Sequence, residues 1–334
     1  MIQPKNFVKT VLSWQAAHGR HQLPWQHPAT PYRVLVSEIM LQQTQVATVI
    51  PYFERWMTRF PTLQSLADAS EDEVMALWQG LGYYSRARNL QKAARFLVDT
   101  YNGEFPQELT DIQSIPGVGR YTAGAIKSFA YDEYGPIVDG NVRRLFCRLF
   151  GVEGVPSTSK VDKALWQLAE DYTPNQNNRR FAQGLLDLGA TLCTARNPKC
   201  TECPFADHCV ALHTGRVSEL PTAKPKKTIP KRTGHFLWLQ KDSELYLEKR
   251  PEHGIWASLW SLPELGEAPT NATLKGSFQH TFSHYKLDAK IWTLTTIPND
   301  TVAEGKADKW AAFDDLTDIG LPAPIRKYIE QHSR

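Results

Sequence analysis

The feature that most constrains the fold is a change in hydrophobic periodicity near residue 230. Before it, apolar residues recur at helical spacing in segments separated by proline and glycine, and none of these segments has a strand pattern. After it, short alternating segments predict strands, and a helix follows at the end. We therefore predict a mostly α-helical N-terminal region and a smaller α+β module in the last hundred residues or so.

Local signals place several elements. Ser70 and Glu73 fit a capping box, and Asn102-Gly103 should end a helix over 85–101. Residues 160–172 and 179–192 are amphipathic and predict two further helices. The elements expected in the C-terminal module are a hairpin of HFLWLQ and ELYLEKR around a KDS turn, strands in SFQHTF and YKLDAKIWTLTT, and a helix in PAPIRKYIEQH.

A basic segment separates the two regions. Residues 221–232 hold five basic residues, three prolines and no acid, which is the composition of a linker. The residues alone fit a mobile spacer and a strand that touches DNA about equally well.

The length and charge of the chain limit the classes of protein it can belong to. A chain of 334 residues suggests two or three domains. It contains no apolar run of the roughly 18 residues that a membrane span needs, and its N-terminus has no apolar stretch of signal-peptide length. We therefore expect a cytosolic protein without a membrane partner. A net charge of +3 permits a nucleic-acid partner without requiring one.

Four of the five cysteines form a compact cluster. Cys193, Cys200, Cys203 and Cys209 follow the spacing C-x6-C-x2-C-x5-C within 17 residues. In a reducing compartment such a cluster more often holds a metal than a disulfide. Four thiolates suit either zinc or an iron–sulfur cluster, and the spacing alone does not choose between them. Cys147 lies apart, in an apolar segment, and is predicted to be a core residue.

A glycine-rich turn stands at 111–125, in DIQSIPGVGRYTAGA. Its glycines allow left-handed backbone angles and close approach to a ligand, and the following helix start could hold a phosphate. An ordinary helix–helix turn explains the same residues and is favoured by the glycines alone.

Two isolated acids are candidates for acid–base chemistry. Residues 31–53 read as one mostly apolar helix on which Glu38, Leu41, Gln42 and Gln45 share a side. A carboxylate on a buried helix needs partners or a functional cavity, although a surface glutamate is the simpler interpretation. Asp139 precedes another apolar helix and fits a helix N-cap as well as a catalytic residue. Together the two acids could form a pair with one protonated member.

Taken together, these motifs resemble those of a known superfamily. The hairpin IPGVGRYTAGAI, the aspartate in VDGNVRR and the cysteine loop are similar to those of the helix-hairpin-helix DNA glycosylases. Within that superfamily, SEIMLQQTQVATVIPYF, WQGLGYYSRARNL and FAQGLLDLGATLC closely resemble the MutY-type adenine DNA glycosylases. The resemblance runs from about residue 7 into the C-terminal strands, and the motifs occur in the same order.

The resemblance implies two helical subdomains and a Nudix-like C-terminal domain. A six-helix barrel with the helix-hairpin-helix would span 24–134, and residues 1–23 would join 135–215 to hold one 4Fe–4S cluster on the four clustered cysteines. A linker over 216–232 and the Nudix-like domain over 233–334 would follow. The acidic helix that binds metal in Nudix hydrolases is missing, so we expect no pyrophosphatase activity.

The resemblance also implies the reaction. A monomer would flip out adenine mispaired with 8-oxoguanine or guanine in double-stranded DNA and hydrolyse its N-glycosidic bond. Glu38 would protonate adenine N7, Asp139 would stabilise the charged sugar or bond to it, and Asn141 would support Asp139. Tyr121 stands where endonuclease III-like relatives carry a nucleophilic lysine, which implies a monofunctional enzyme that leaves an abasic site.

The remaining implied site residues contact DNA. Gln42 and Tyr83 would wedge into the base stack, while Gly117 and Gly119 would hold the phosphate backbone through main-chain amides. Trp25 and Gln183 would line the adenine pocket. The Nudix-like domain would recognise 8-oxoguanine through the tripeptide Phe282, Ser283 and His284.

Three other functions are disfavoured by particular residues. A bifunctional enzyme acting on oxidised pyrimidines conflicts with Tyr121, with Glu38 and with the C-terminal module. A lesion-binding protein without catalysis conflicts with the intact pair of Glu38 and Asp139. A Nudix nucleotide hydrolase conflicts with the missing acidic motif.

Overall fold

The computed structural model describes residues 2–225, 228–294 and 307–332, and it divides into two units. Unit 1 comprises Met1–Ala67 and Lys92–Pro225, and unit 2 comprises Asp68–Gln91 and Lys226–Arg334. The described α-helices, in chain order, are α1 (Pro4–His18), α2 (Pro31–Leu41), α3 (Val46–Arg59), α4 (Leu63–Ala67), α5 (Glu71–Trp78), α6 (Ser85–Tyr101), α7 (Leu109–Ser114), α8 (Arg120–Ile126), α9 (Gly140–Phe150), α10 (Ser159–Tyr172), α11 (Asn178–Asp187), α12 (Val210–His213) and α13 (Ala323–His332).

The local signals for helices are confirmed where a cap or stop residue marks the boundary. The side chain of Ser70 accepts a hydrogen bond from the Glu73 amide, and that of Glu73 completes the capping box at α5. Helix α6 ends where Asn102 and Gly103 take positive φ angles of 52° and 81°. The predicted segments 160–172 and 179–192 are helical too, the second continuing from α11 as a π-helix over Leu188–Leu192.

The single helix predicted over 31–53 is wrong. The segment forms two helices, α2 and α3, and the chain between them turns at Gln43, which has a φ of 57°. Gln42 and Gln45 therefore lie on a turn and do not share a helix face with Glu38. No proline or glycine marks this break, so propensity gave no warning of it.

Apolar packing around Phe7 joins α1 to the later helices of unit 1. The fully buried Phe7 ring stacks on Phe205 at a centroid distance of 4.8 Å and meets the edge of Tyr172 at 5.1 Å. Phe205 belongs to the cysteine-bearing segment, so burial of aromatic surface fixes that segment against α1.

Unit 2 contains two sheets packed with α13. Its strands are β1 (Lys231–Leu237), β2 (Gln240–Lys241), β3 (Glu244–Lys249), β4 (Trp260–Ser261), β5 (Glu264–Leu265), β6 (Ala272–Thr281), β7 (Lys286–Leu294) and β8 (Asp308–Ala312). One sheet has the order β5-β1-β7-β6, and in the other β3 pairs with β2, β4 and β8. Their inner faces form an apolar core with Ile325 and Ile329 of α13. The predicted α+β class and closing helix are confirmed.

The predicted hairpin is confirmed only at its tip. Gln240 and Lys241 pair with Leu245 and Glu244, whereas β1 pairs in parallel with β7 in the other sheet. The alternating pattern of HFLWLQ does not show that the chain changes sheets within it. Strands β6 and β7 form as predicted and pair antiparallel.

Residues 68–91 belong to unit 2, although the sequence suggested that they belong to the N-terminal region. The Tyr84 hydroxyl donates to the Leu321 carbonyl oxygen at 3.2 Å, and Lys249 pairs with Asp72 at 2.8 Å.

The two units do not separate 24–134 from 135–215, so that division stays a prediction. Lys226 and Lys227 of the basic linker, and residues 295–296 of the predicted last strand, lie outside the described residues. Among the described helices, none has both the length and the apolar character to cross a membrane.

Gly124 allows the segment before Asp139 to lie directly on α8. A Cβ at Gly124 would stand 2.1 Å from the carbonyl oxygen of Pro136. We expect Gly124→Ala to lower the free energy of unfolding by about 1–3 kcal/mol, as overpacking of a close contact does. Chemical denaturation followed by circular dichroism measures this change.

Gly119→Ala is the matched control in the same hairpin, because no atom lies within 4 Å of the Cβ that it would add. Equal stability of the two variants would show that the contact between α8 and Pro136 does not constrain the fold.

Candidate active site

The four predicted catalytic residues border one cavity of unit 1. Glu38 on α2, Tyr121 on α8 and Asp139 at the start of α9 line it together, and Gln42 and Asn141 also border it. The Tyr121 hydroxyl donates a hydrogen bond of 2.7 Å to Oε2 of Glu38. The structure thus brings together two carboxylates from residues a hundred positions apart in the sequence.

Burial gives Glu38 an unusual protonation equilibrium. The side chain is 5% exposed, and its desolvation raises the pKa to about 7. The hydrogen bond from Tyr121 opposes this rise, and the charge of Asp139 adds to it. Near neutral pH, Glu38 is therefore divided between an acid that can donate a proton and a base that can accept one.

Asp139 is both the N-cap of α9 and a member of the cavity, so the two interpretations of the sequence are compatible. Its Oδ1 accepts hydrogen bonds from the amides of Asn141 at 2.9 Å and Val142 at 2.7 Å. The side-chain amide of Asn141 donates to its Oδ2 at 2.9 Å. Burial raises the pKa of Asp139 above its ordinary value, while these donors and the Arg144 guanidinium oppose the rise.

Arg144 connects the neighbourhood of Asp139 to the cysteine loop. It donates to Oδ1 of Asn141 at 2.9 Å and to the backbone oxygen of Cys193 at 2.6 Å.

Trp25 and Gln183 line a second cavity that Glu38 also borders. The Trp25 ring is buried edge-on against Phe53 at a centroid distance of 5.5 Å. Sequence reasoning missed three other residues of this cavity and its wall, namely Arg20, Gln26 and the fully buried Asp187. A lone aspartate in the apolar helix pattern of FAQGLLDL was the available signal for Asp187.

The predicted backbone-contact residues lie on turns. Gly117 has a φ of 80°, a conformation that glycine adopts without strain, and Gly119 is the extended N-cap of α8. Gln42 is exposed at the turn after α2, and its neighbour Gln43, which the sequence did not single out, forms the apex.

Unit 2 has its own cavity, which holds the remaining predicted residues. Tyr83, Phe282, Ser283 and His284 all line it. Tyr83 is 52% exposed with a positive φ of 48°, and Ser283 and His284 are also exposed. An aromatic surface beside hydroxyl and imidazole groups can stack on a base and hydrogen-bond its edge.

Two aromatic residues of this cavity were missed. His280 lies 4.5 Å from the Phe282 ring, and Trp256 lies 5.4 Å from it, measured between ring centroids. His280 and Phe282 both occur in the strand segment QHTF, but nothing in the sequence pairs Trp256 with that segment.

The four clustered cysteines surround one apolar cavity, and none of them forms a disulfide. Among the residues that the structure describes, no three His, Cys, Asp or Glu side chains could hold a single metal ion. Four thiolates around one apolar cavity fit an iron–sulfur cluster, in which separate iron atoms each take one thiolate. Arg148 donates to Sγ of Cys193 at 3.5 Å, which is the type of hydrogen bond that such sulfurs accept.

Comparison with known proteins agrees with this geometry. Residues 36–171 match the HhH-GPD superfamily of base excision DNA repair proteins, residues 193–209 the iron-sulfur binding domain of endonuclease III, and residues 234–331 the NUDIX domain. Fold and site together define a base excision DNA glycosylase that carries one 4Fe–4S cluster.

Full-length relatives define the family within this class. The chain is 37% identical to an adenine DNA glycosylase of Buchnera aphidicola from Acyrthosiphon pisum, over 98% of both chains. It is 32% identical to the human adenine DNA glycosylase, over 96% of this chain and 73% of the human one. The chain belongs to the adenine DNA glycosylase family and is an enzyme that removes adenine from DNA in base excision repair.

Solved structures support the fold of the helical region. A thermostable thymine-DNA glycosylase is 30% identical, with a TM-score of 0.58 over 63% of this chain and 97% of that chain. An endonuclease III in a trapped covalent complex with DNA, 24% identical, has the same fold with a TM-score of 0.51 over 64% of this chain and 99% of that one.

The hydrogen bond from Tyr121 to Glu38 predicts how the pKa of Glu38 should change when the donor is removed. Tyr121→Phe removes the donor that stabilises the charged carboxylate, so we expect the pKa of Glu38 to rise above about 7. Carbon-13 NMR of labelled glutamate carboxyl groups measures the shift, and Glu38→Gln assigns the signal. An unchanged or lower pKa would mean that this hydrogen bond does not act on Glu38 in solution.

The cysteine geometry predicts which thiols the cluster requires. Cys203→Ser should lower the iron content and the broad visible absorbance of the purified protein, because Cys203 lines the shared cavity. Cys147→Ala should retain both, because Cys147 is a buried thiol outside that cavity. Iron retained in the Cys203 variant would contradict the assignment.

Proposed function

We propose that this enzyme, acting as a monomer, removes adenine mispaired with 8-oxoguanine or guanine and leaves an abasic site without cleaving the strand. The observation that carries the proposal is the cavity in which Glu38, Tyr121 and Asp139 meet. The described residues that line it supply a proton donor, a stabilising anion and no amine nucleophile.

Glu38 is the general acid of the proposed reaction. A carboxyl group with a pKa of about 7 remains partly protonated at neutral pH and can protonate adenine N7. Protonation makes the base a better leaving group, because the electrons of the N-glycosidic bond then flow to a cationic heterocycle, which departs as neutral adenine. After the base leaves, the Glu38 carboxylate can accept a proton from the attacking water.

Asp139 is the anion of the pair. Its three hydrogen-bond donors stabilise the carboxylate form and hold it towards the cavity. A carboxylate there stabilises the positive charge that develops on the sugar, or bonds to the sugar before water displaces it. Asn141 positions Asp139 by donating from both its backbone and its side chain.

The absence of an amine supports the monofunctional reaction. Among the described residues that line the two cavities bordered by Glu38, none is a lysine. Lys127, the nearest lysine in the hairpin segment, is buried and paired with Glu133. The Tyr121 hydroxyl cannot form a Schiff base with the opened sugar, so strand cleavage by lyase chemistry has no nucleophile.

Recognition of the mispair uses exposed planar groups. The adenine must leave the duplex to reach Glu38, and its mispairing lowers the cost of extrusion. Gln42 and Tyr83 are exposed enough to occupy space in the base stack, and Gly117 and Gly119 present main-chain amides to the phosphates. Trp25 and Gln183 receive the adenine.

The cavity of unit 2 is the proposed site for 8-oxoguanine. Phe282 is packed against His280 and Trp256, which holds the neighbouring Ser283 and His284 at the exposed end of β6. A serine hydroxyl and an imidazole can bond to the purine edge where 8-oxoguanine differs from guanine. This site supports a preference for the oxidised base over guanine.

A single-turnover assay on labelled duplexes tests the proposal. We expect strand scission only after hot alkali, and faster excision of adenine opposite 8-oxoguanine than opposite guanine. Scission without alkali would establish lyase chemistry and contradict the role given to Tyr121. Tight binding without excision would indicate a lesion-binding protein.

Glu38→Gln isolates the proton that the mechanism requires, because the amide keeps the shape of the side chain. We expect excision to fall by about 10²–10⁴-fold while duplex binding is retained. In the wild-type enzyme, the single-turnover rate should fall as the pH rises through about 7, because Glu38 loses its proton there. Near-normal excision by Glu38→Gln would exclude Glu38 as the general acid.

A further inference from the structure

A directed chain of hydrogen bonds runs through the wall of the cavity that contains Trp25. The side-chain amide nitrogen of Gln183 donates to Oδ1 of Asp187 at 2.9 Å, one helical turn further along α11. The amide oxygen of Gln183 accepts from Nε2 of Gln26 at 3.0 Å. Gln183 is 7% exposed and Asp187 is fully buried, so solvent cannot readily substitute for either partner.

The chemistry of the partners fixes the orientation of the Gln183 amide at one end. An ionised aspartate only accepts hydrogen bonds, and Asp187 also accepts from the backbone amide of Arg20 at 2.8 Å and from its Nε at 2.6 Å. The group that Gln183 turns towards Asp187 must therefore be its NH₂. Its carbonyl oxygen then points the other way.

Gln26 fixes the same orientation from the opposite end. Its own oxygen accepts from the backbone amide of Leu23 at 2.8 Å, so its NH₂ must face Gln183. That NH₂ has two hydrogens, and it donates to the Arg20 carbonyl oxygen at 2.9 Å as well as to Gln183. Both hydrogens of the Gln26 NH₂ are therefore used. The Gln183 carbonyl oxygen has two lone pairs and accepts one of these hydrogen bonds, so it can accept another.

A hydrogen-bond acceptor at the position of the Gln183 carbonyl would distinguish purines by the group that they carry at C6. Adenine carries an amine at C6, which donates, whereas guanine and hypoxanthine carry an oxygen there, which accepts. A flipped amide would present an NH₂ and favour the oxygen-bearing bases. The orientation of one amide thus decides which class of purine the cavity accepts.

We propose that Asp187 is a positioning residue that sets base selectivity by holding the Gln183 carbonyl as an acceptor for the exocyclic amine of the target purine. The inference rests on the proposed function in one respect, that the target base enters the cavity shared by Glu38 and Gln183. Asp187 itself does not touch the base and acts through Gln183.

Asp187→Asn is the first test, because it keeps the shape of the side chain but adds a donor. The new amide can turn its NH₂ towards Gln183 and allow the Gln183 amide to flip. Single-turnover excision is measured for adenine, for purine, which lacks only the amine, and for hypoxanthine, each opposite 8-oxoguanine. The intrinsic reactivity of each base is the same for both enzymes, so it cancels when the variant's ratios are compared with those of the wild type.

We expect the adenine-to-purine rate ratio to fall about tenfold in Asp187→Asn, as the loss of one hydrogen bond worth about 1.4 kcal/mol implies. Excision of hypoxanthine relative to purine should rise. Gln26→Glu should move both ratios in the same direction, because it replaces the donor that faces the Gln183 carbonyl with an acceptor. If Asp187→Asn does not fold, Gln26→Glu alone tests whether the orientation of the Gln183 amide sets base selectivity.

The chain offers a matched control on α10. Gln167 donates to Asp171 at 2.9 Å with the same four-residue spacing, on an exposed face. Asp171→Asn should leave all ratios unchanged. Equal slowing on all three bases in both Asp187→Asn and Gln26→Glu would overturn the inference and leave the proposed function intact. A wild-type enzyme that excises no adenine would overturn both.

Discussion

Burial of Glu38 next to a second carboxylate is the constraint on which the rest of unit 1 depends. A carboxyl group taken out of water favours its neutral form, and the charge of Asp139 adds to this effect. The protein keeps the acid partly protonated near neutral pH only while α2, α8 and α9 hold this arrangement. Gly124 contributes to this arrangement, because its lack of a side chain lets the backbone before Asp139 lie close to α8.

Helix α9 connects the reacting end of unit 1 to its cofactor. Asp139 caps its first turn, while Arg144 and Arg148 on the following turns donate to the loop that begins at Cys193. Its four cysteines would hold the iron–sulfur cluster, which would crosslink this loop. Phe205 anchors the loop to α1 by aromatic stacking. The cysteine loop and the Asp139 cap therefore belong to one continuous packing arrangement.

The sequence predicted those features whose signal is local. The capping box at Ser70 and the stop at Asn102-Gly103 each occupy a few neighbouring residues, and each is confirmed. The cysteine spacing is also visible in the sequence, and residues 193–209 match an iron-sulfur binding domain. The break at Gln43 and the sheet change after β1 were missed, because long-range packing decides them and no proline or glycine marks them. Asp187 was missed for a related reason: Gln183 lies one turn away on the same helix, but its other partner, Arg20, comes from a distant segment.

The sequence by itself determined the helical region, the α+β module, the cysteine cluster and, through its motifs, the family. Hydrophobic period, caps and ligand spacing are properties of neighbouring residues, so they can be read without a fold. Tertiary structure alone decided that Asp139 is at once a helix cap and a partner of Glu38, and that the pKa of Glu38 lies near 7. It also decided which way the Gln183 amide points. Burial and the direction of hydrogen bonds depend on residues that only folding brings together.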